Sequence, residues 1–396
     1  MSALLAFGSN SHGQLGIASS SDAHCPEPAL EDSFLISAVA VSLSGGANHS
    51  AMVLDDGSLV TWGDNSQGQL GRQPGKASSQ ADLVQTQPSH RWAKVRCGWN
   101  HTAALDQDGI LWTFGENRYG QLGYDTGGAE SSCTATSVRG LPGPVVDVDC
   151  GIRHTVAVLE NGQVWAWGCN RSGQLGQRQS DAGNSKSNLA PFQPLRIQGI
   201  DNGAAVACGQ KHTIILTLDG EIYALGWNRH GQLGQQPSSI KSTAVPRRID
   251  LPEATTDPVR QVCSGWSHSM ALTASGAVYA WGRNDHGQLG IKHDELAARS
   301  SGATASQPTP LCWKPVRIPL QCGRVSSIVC GSEHVLAVDE DGRCHAWGWN
   351  EHGNCGNGAT RDCEPTILEG IVGRVSVAGC GCGHSLVCIR SADRRV

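Results

Sequence analysis

The sequence predicts an all-β fold, a seven-bladed β-propeller. Three observations predict it: one phrase that recurs seven times, a second that recurs seven times, and a fixed distance between the two. The first phrase is aromatic-Gly-x-Asn-x-x-Gly-Gln-Leu-Gly, with Leu225 for the aromatic in one copy. It ends at Gly16, Gly71, Gly123, Gly176, Gly234 and Gly290, and a variant, WGWNEHGNCG, ends at Gly356. The second is Gly-x-x-His, carrying His49, His101, His154, His212, His268, His334 and His384. In six copies the histidine precedes a motif glycine by 19 residues, as His49 precedes Gly68 and His334 precedes Gly353.

The elements of one unit follow in order. The stretch before each histidine reads as an inner strand. Cys97, Cys150, Cys208, Cys330 and Cys380 each stand four residues before their histidine there. They read as small buried residues in separate blades, too far apart to be bridged. The histidine opens a second strand, as in His154-Thr-Val-Ala-Val. A hairpin turn comes next: Asp56-Gly57, Asp108-Gly109, Asn161-Gly162, Asp219-Gly220, Ser275-Gly276 or Asp341-Gly342. Asp-Gly and Asn-Gly supply the positive φ such turns require. A third strand ends at the first phrase. Trp62, Trp167, Trp281 and Trp347, with Phe7 and Phe114 as equivalents, read as packing anchors before the motif glycine. The longer connections, 124–139, 177–194, 237–246 and 291–315, are polar and Pro- or Gly-bearing and read as surface loops.

The ends close the ring. The first phrase has no histidine unit before it, and His384 has no phrase after it. One blade therefore combines strands from about 1–16 with strands from about 374–390, which removes exposed sheet edges. The 396 residues form one domain, and 50 glycines suit its many tight turns. A histidine present in every blade serves the blade rather than a catalytic or metal centre, and each imidazole is expected to bond backbone in its own or the next blade.

Composition excludes several functions. Thirty basic against 35 acidic residues give a net charge of −5, with no Lys/Arg run, so nothing marks a nucleic-acid binder. No stretch approaches a membrane span, and the first residues do not read as a signal peptide. The cysteine spacing matches no zinc site. No catalytic residue, metal or cofactor is expected. Reduced thiols in a cytoplasmic protein, with the nucleus a second compartment, are the expectation.

The phrases WGxNxxGQLG and GxxHxxAL with their Asp-Gly turn resemble the repeat of the regulator-of-chromosome-condensation family, over essentially the whole chain. The resemblance implies a seven-bladed propeller, but members differ in activity, so function must come from where copies differ. Trp99 and Trp266 stand in Gly-Trp-x-His, in blades that are not neighbours; Trp227 and Trp349 follow a motif glycine. Other copies hold small or polar residues in those slots. Two readings stand for these tryptophans: interface anchors, or side chains buried against adjacent loops. The last full repeat departs most, bringing Glu333, Trp349, Glu351 and His352 towards one rim. Arg229 and Arg283 occupy variable slots and suit an acidic partner.

Two functions follow from resemblance. Ala-Phe-Gly-Ser-Asn at the start, Trp-Gly-Asp-Asn in the second repeat and the late Trp-Gly-Trp-Asn-Glu-His-Gly-Asn-Cys-Gly resemble the family's alpha-tubulin-suppressor branch. That branch implies a non-catalytic scaffold docking a small zinc-binding electron-carrier protein in diphthamide synthesis and Elongator-dependent tRNA wobble-uridine modification. The alternative is guanine nucleotide exchange on a small GTPase, Ran-like or secretory. The candidate partner-binding residues are the same for both: Trp349, Glu351, His352, Glu333, Trp99, Trp227, Trp266, Arg229 and Arg283.

Overall fold

A computed structural model describes residues 2–30, 38–75, 78–84, 90–177, 192–252, 257–292 and 311–390. Seven four-stranded antiparallel sheets make up the described chain. Their inner strands are Ala40–Gly45, Trp92–Cys97, Val145–Cys150, Gly203–Cys208, Val259–Ser264, Val325–Cys330 and Arg374–Cys380. These head blades 1 to 7 and together line a central channel of about 460 Å³. The terminal blade is as expected: Ser2–Gly8 pairs with His384–Arg390, with Leu4 opposite Cys388 and Phe7 opposite Ser385. Ala23–Ala29 adds the outer strand of that blade.

The outer strands correct the sequence reading. Ser131–Ser137 and Ser242–Ile249 are strands inside or across connections read as loops, and Leu311–Arg317 begins inside another. Most of 177–194 and 291–315 lies outside the described residues. Outer strands bury little, so they lack the apolar alternation that marks the inner three. The second strands are the opposite, buried at every position in blades 1 to 6, as in His154–Leu159, and as far as Cys388 in blade 7. They are sandwiched between neighbouring blades on both faces.

Every inner strand carries a bulge near its start, between Ala40 and Ser42, Val145 and Asp147, and at the five equivalent places. The extra residue is left unpaired. This is why Val41 and Val146 are half exposed although they belong to the innermost strands.

The motif phrase is a set of inter-blade fasteners. The motif Asn side-chain oxygen accepts the backbone N–H five residues on, as Asn65 from Leu70 and Asn228 from Leu233. The motif Gln carbonyl accepts the indole N–H of the next blade: Gln14 from Trp62, Gln121 from Trp167, Gln232 from Trp281 and Gln288 from Trp347, at 2.8 to 3.1 Å. The same carbonyl accepts a hydroxyl from the residue after the next histidine. Thr102 donates to Gln69, Thr155 to Gln121, Thr213 to Gln174 and Ser269 to Gln232 at 2.7 to 2.9 Å.

The histidines complete the device, but differently from the sequence expectation. They reach a side-chain hydroxyl of the next blade, not backbone. His49 Nε2 meets Thr102, His101 meets Thr155, His154 meets Thr213, His212 meets Ser269, His334 meets Ser385 and His384 meets Ser50, at 2.9 to 3.3 Å. A hydroxyl carries one hydrogen, and the Gln or Asn carbonyl takes it. Nε2 must therefore carry its own proton and donate. The joint between blades 5 and 6 lacks this bond. Val335 stands where the hydroxyl should be, and both ring nitrogens of buried His268 are without a hydrogen bond.

Candidate functional site

Inner strands end, and third strands end, at the same side of the ring. The Gly-x-x-His turns and the aromatic-Gly-x-Asn loops therefore share one face, and the Asp-Gly turns lie on the other. The face is held by close backbone approach. Gly115 has φ +109° and its added Cβ would stand 2.4 Å from the Asn100 carbonyl oxygen. Only glycine fits, so the third strand can exit directly beside the Gly-x-x-His turn.

At the centre of this face the structure joins what the sequence keeps apart. Trp99 of blade 2 and Trp266 of blade 5 meet across the channel mouth, ring centroids 5.8 Å apart and tilted by 33°. Seven-fold spacing sets their blades on opposite sides, and a side chain as long as Trp bridges the gap. Both are half-buried. Their turns are tied around the mouth by backbone bonds: Ala47 N–H to Trp99, Gln210 N–H to Trp266, Trp266 N–H to Ser332 and Cys382 N–H to Gly46. Burial pushes the Cys382 thiol up to about 12, with a contact from Trp266 opposing it.

Further out, Trp227 is half-buried with its ring under Lys211 Nζ at 5.2 Å and edge-on to His230 at 5.5 Å. Trp349 repeats the arrangement with His352, edge-on at 5.4 Å, and His352 Nδ1 lies 2.7 Å from Asp22 of blade 7. Arg229 and Glu351 are exposed beside them. The four tryptophans thus combine the two readings, packed on one side and open on the other.

Glu333 does not join the Trp349 group. Its carboxylate is buried and turned towards blade 5, accepting Gln288 Nε2 at 2.6 Å and Arg283 Nη1 at 3.2 Å. His268 Nδ1 stands 3.8 Å away, beyond a hydrogen bond. Arg283 also pairs with Asp285. Both Glu333 and Arg283 therefore brace the seam between blades 5 and 6. His230 is nearby; burial lowers its pKa, and Arg283 and Arg229 add to the effect.

Two features escaped the sequence reading. Arg153 lies 4.3 Å above the Tyr119 ring, a cation on an aromatic face at the joint of blades 2 and 3. Burial raises the pKa of Glu116 there, and Arg153 and Arg118 oppose the rise. The signal was Tyr119, the one tyrosine in a motif slot that holds His, Gln or Ser in other copies. Inside the channel, Lys94 pairs with Asp147, and Arg96 lies 3.5 Å from Asp149. Each carboxylate also accepts a backbone N–H of blade 4, from Val206 at 2.9 Å and from Cys208 at 2.7 Å. Burial raises the pKa of Asp149, and Arg96 opposes it.

Among the described residues no three His, Cys, Asp or Glu side chains converge as metal ligands. What the face offers is aromatic area, flanked by cations, on a rigid ring. That is the chemistry of a binding surface.

Comparison with known proteins agrees with this architecture. The RCC1-like domain matches residues 3–387. The chain is 35% identical over 394 residues to the secretion-regulating guanine nucleotide exchange factor of Mus musculus, covering 97% of this chain and 82% of that protein. It is 31% identical to the ultraviolet-B receptor of Arabidopsis thaliana, over 87% of this chain and 73% of the receptor. The solved structure of Prp20p from Saccharomyces cerevisiae superposes with a TM-score of 0.87 at 22% identity, covering 99% of this chain and 92% of that one, which speaks for the fold. A propeller fastened seam by seam through these motif residues, and matched from end to end by such relatives, belongs to the RCC1-like domain family.

Proposed function

We propose that the chain is a guanine nucleotide exchange factor for a small GTPase, and that its motif-loop face is the surface that engages the GTPase. The observation that carries this reading is the 35% identity, over 97% of the chain, to a relative named as such a factor. It takes precedence over the scaffold for a zinc-binding electron carrier, which rests on three short motifs alone. Exchange needs no covalent chemistry. A propeller that binds the nucleotide-free GTPase more tightly than the loaded form lowers the barrier to nucleotide release. Trp227 and Trp349 supply apolar anchors, and Lys211 and Arg229 supply cations for acidic loops.

The test is release of a fluorescent GDP analogue from a panel of Ran-like and secretory small GTPases. The wild-type chain accelerates release from at least one of them. Trp349→Ala reduces the acceleration about tenfold or more, in line with an interface anchor, at an unchanged melting temperature. No acceleration across the panel, with retention of a small zinc protein on the wild-type chain but not on Trp349→Ala, would reverse the order of the two readings.

A further inference from the structure

We propose that Cys263 and Cys330 form a reversible oxidative modification site, at which hydrogen peroxide makes a disulfide joining blades 5 and 6 inside the central channel. The two sulfurs are in contact at 2.8 Å and both thiols are free. They come from neighbouring inner strands and line the channel, and each is half-buried, so a small oxidant in the channel reaches them. The sequence reading of cysteines too far apart to be bridged covered Cys97, Cys150, Cys208, Cys330 and Cys380; Cys263 stands outside that set because it is one residue out of phase. It sits five residues before His268, in the slot held elsewhere by Ser44, Arg96, Asp149, Ala207, Val329 and Gly379.

A second, independent observation concerns the same seam. This is the joint at which Val335 removes the histidine–hydroxyl bond and leaves His268 without a hydrogen bond. A covalent bond here fastens the one seam that lacks that fastener. It also lies directly under the channel mouth. Cys263 precedes Trp266 by three residues and Cys330 precedes Ser332 by two, and the Trp266 N–H donates to the Ser332 carbonyl at 2.8 Å.

The chemistry balances with peroxide as oxidant. One thiol, deprotonated, attacks a peroxide oxygen and breaks the O–O bond, giving a sulfenic acid and one water. The other thiol attacks that sulfur, the S–S bond forms, and the sulfenic oxygen leaves as a second water. Two thiols lose two electrons and two protons, and peroxide gains them. A thiol reductant reverses the step. Burial, and then the contact with Cys263, holds the Cys330 thiol well above its ordinary range. The resting Cys330 thiol is therefore protonated, and its oxidation speeds up as pH rises.

The test uses the reduced full chain. It is treated with hydrogen peroxide, remaining thiols are alkylated, and the protein is digested without reductant for mass spectrometry. The expected product is a linked peptide pair containing Cys263 and Cys330 that disappears on reduction. It is accompanied by a melting temperature about 5 °C higher in the oxidised form. Two controls follow from the repeat itself: Cys263→Ala, because blade 4 holds Ala207 in that slot, and Cys330→Ser, because blade 5 holds Ser264. Both remove the linked peptide and the shift. Absence of the linked peptide at peroxide levels that oxidise exposed Cys25 overturns the proposal, and so does a linked peptide joining either thiol to a different cysteine. If a variant fails to fold, the wild-type peptide map decides alone.

Discussion

Val335→Thr should stabilise the protein, against the usual direction of a polar substitution in a core. Val335 and His268 are fully buried. In the six intact seams the equivalent hydroxyl donates to a motif carbonyl and receives the imidazole N–H, at 2.7 to 2.9 Å and 2.9 to 3.3 Å. The partners for a threonine at 335 already exist. The Gln288 carbonyl is in place, accepting the Trp347 indole at 3.1 Å, and His268 Nε2 is without a hydrogen bond. Two net hydrogen bonds contribute about 1 kcal/mol each. Exchanging a buried methyl for a hydroxyl costs about 0.8 kcal/mol of that. The expected gain is about 1 kcal/mol, roughly 1–3 °C in melting temperature for a chain of this size. Glu333 does not compete, since Arg283 and Gln288 already hold it. The mirror variant, Thr155→Val, strands His101 Nε2 and should cost about 1–3 kcal/mol. Calorimetric melting of both variants beside wild type is the assay. If Val335→Thr falls as far as Thr155→Val, the histidine–hydroxyl bond is not the fastener described above.

Two further predictions concern stability. Burial lowers the pKa of His49 and His154 from 6.5 to about 4 and that of His101, His212, His334 and His384 to about 3. The unfolded chain therefore takes up protons first. Stability is full above pH 6.5 and falls as pH drops towards the folded values, by about 1.4 kcal/mol per unit for each histidine. Burial pushes Cys97 and Cys344 from 9.0 up to about 12, so the contribution of these thiols is lost as pH rises above 9. Urea titrations should give a plateau between these limits and a steep acid arm; a midpoint unchanged from pH 7.5 to pH 5 contradicts neutral buried imidazoles. Gly115→Ala combines φ +109° with a Cβ placed 2.4 Å from the Asn100 oxygen, and should cost at least about 3 kcal/mol in the same titration. A loss under 1 kcal/mol would mean the third strand has room to move.

The repeat itself wrote the ring into the sequence. Six Gly-x-x-His phrases at a constant distance from six motif phrases, with one more phrase of each kind at the ends, fix the blade count. The unpaired phrase at each end fixes the closing blade, because each strand needs a partner to satisfy its backbone. The buried tryptophans were legible for the same reason. The outer strands were not, because they bury little on either side and so carry no period. Nor were the partners of the histidines: five find a hydroxyl some 50 to 60 residues further on and His384 finds Ser50 near the other end of the chain, pairings identified only once two blades are side by side.

The candidate site divides along the same line. Trp227, Trp349 and His352 could be named from the sequence because they break the repeat locally, and a local departure is visible in one dimension. The contact of Trp99 with Trp266, the burial of Glu333 against Arg283, and the meeting of Cys263 with Cys330 were decided by the tertiary structure. Each depends on how far a side chain reaches across the ring or its seams, and on which neighbour the pleat turns it towards. The sequence by itself determined how many blades there are and where they begin. Closure of the ring decided which of their odd residues touch.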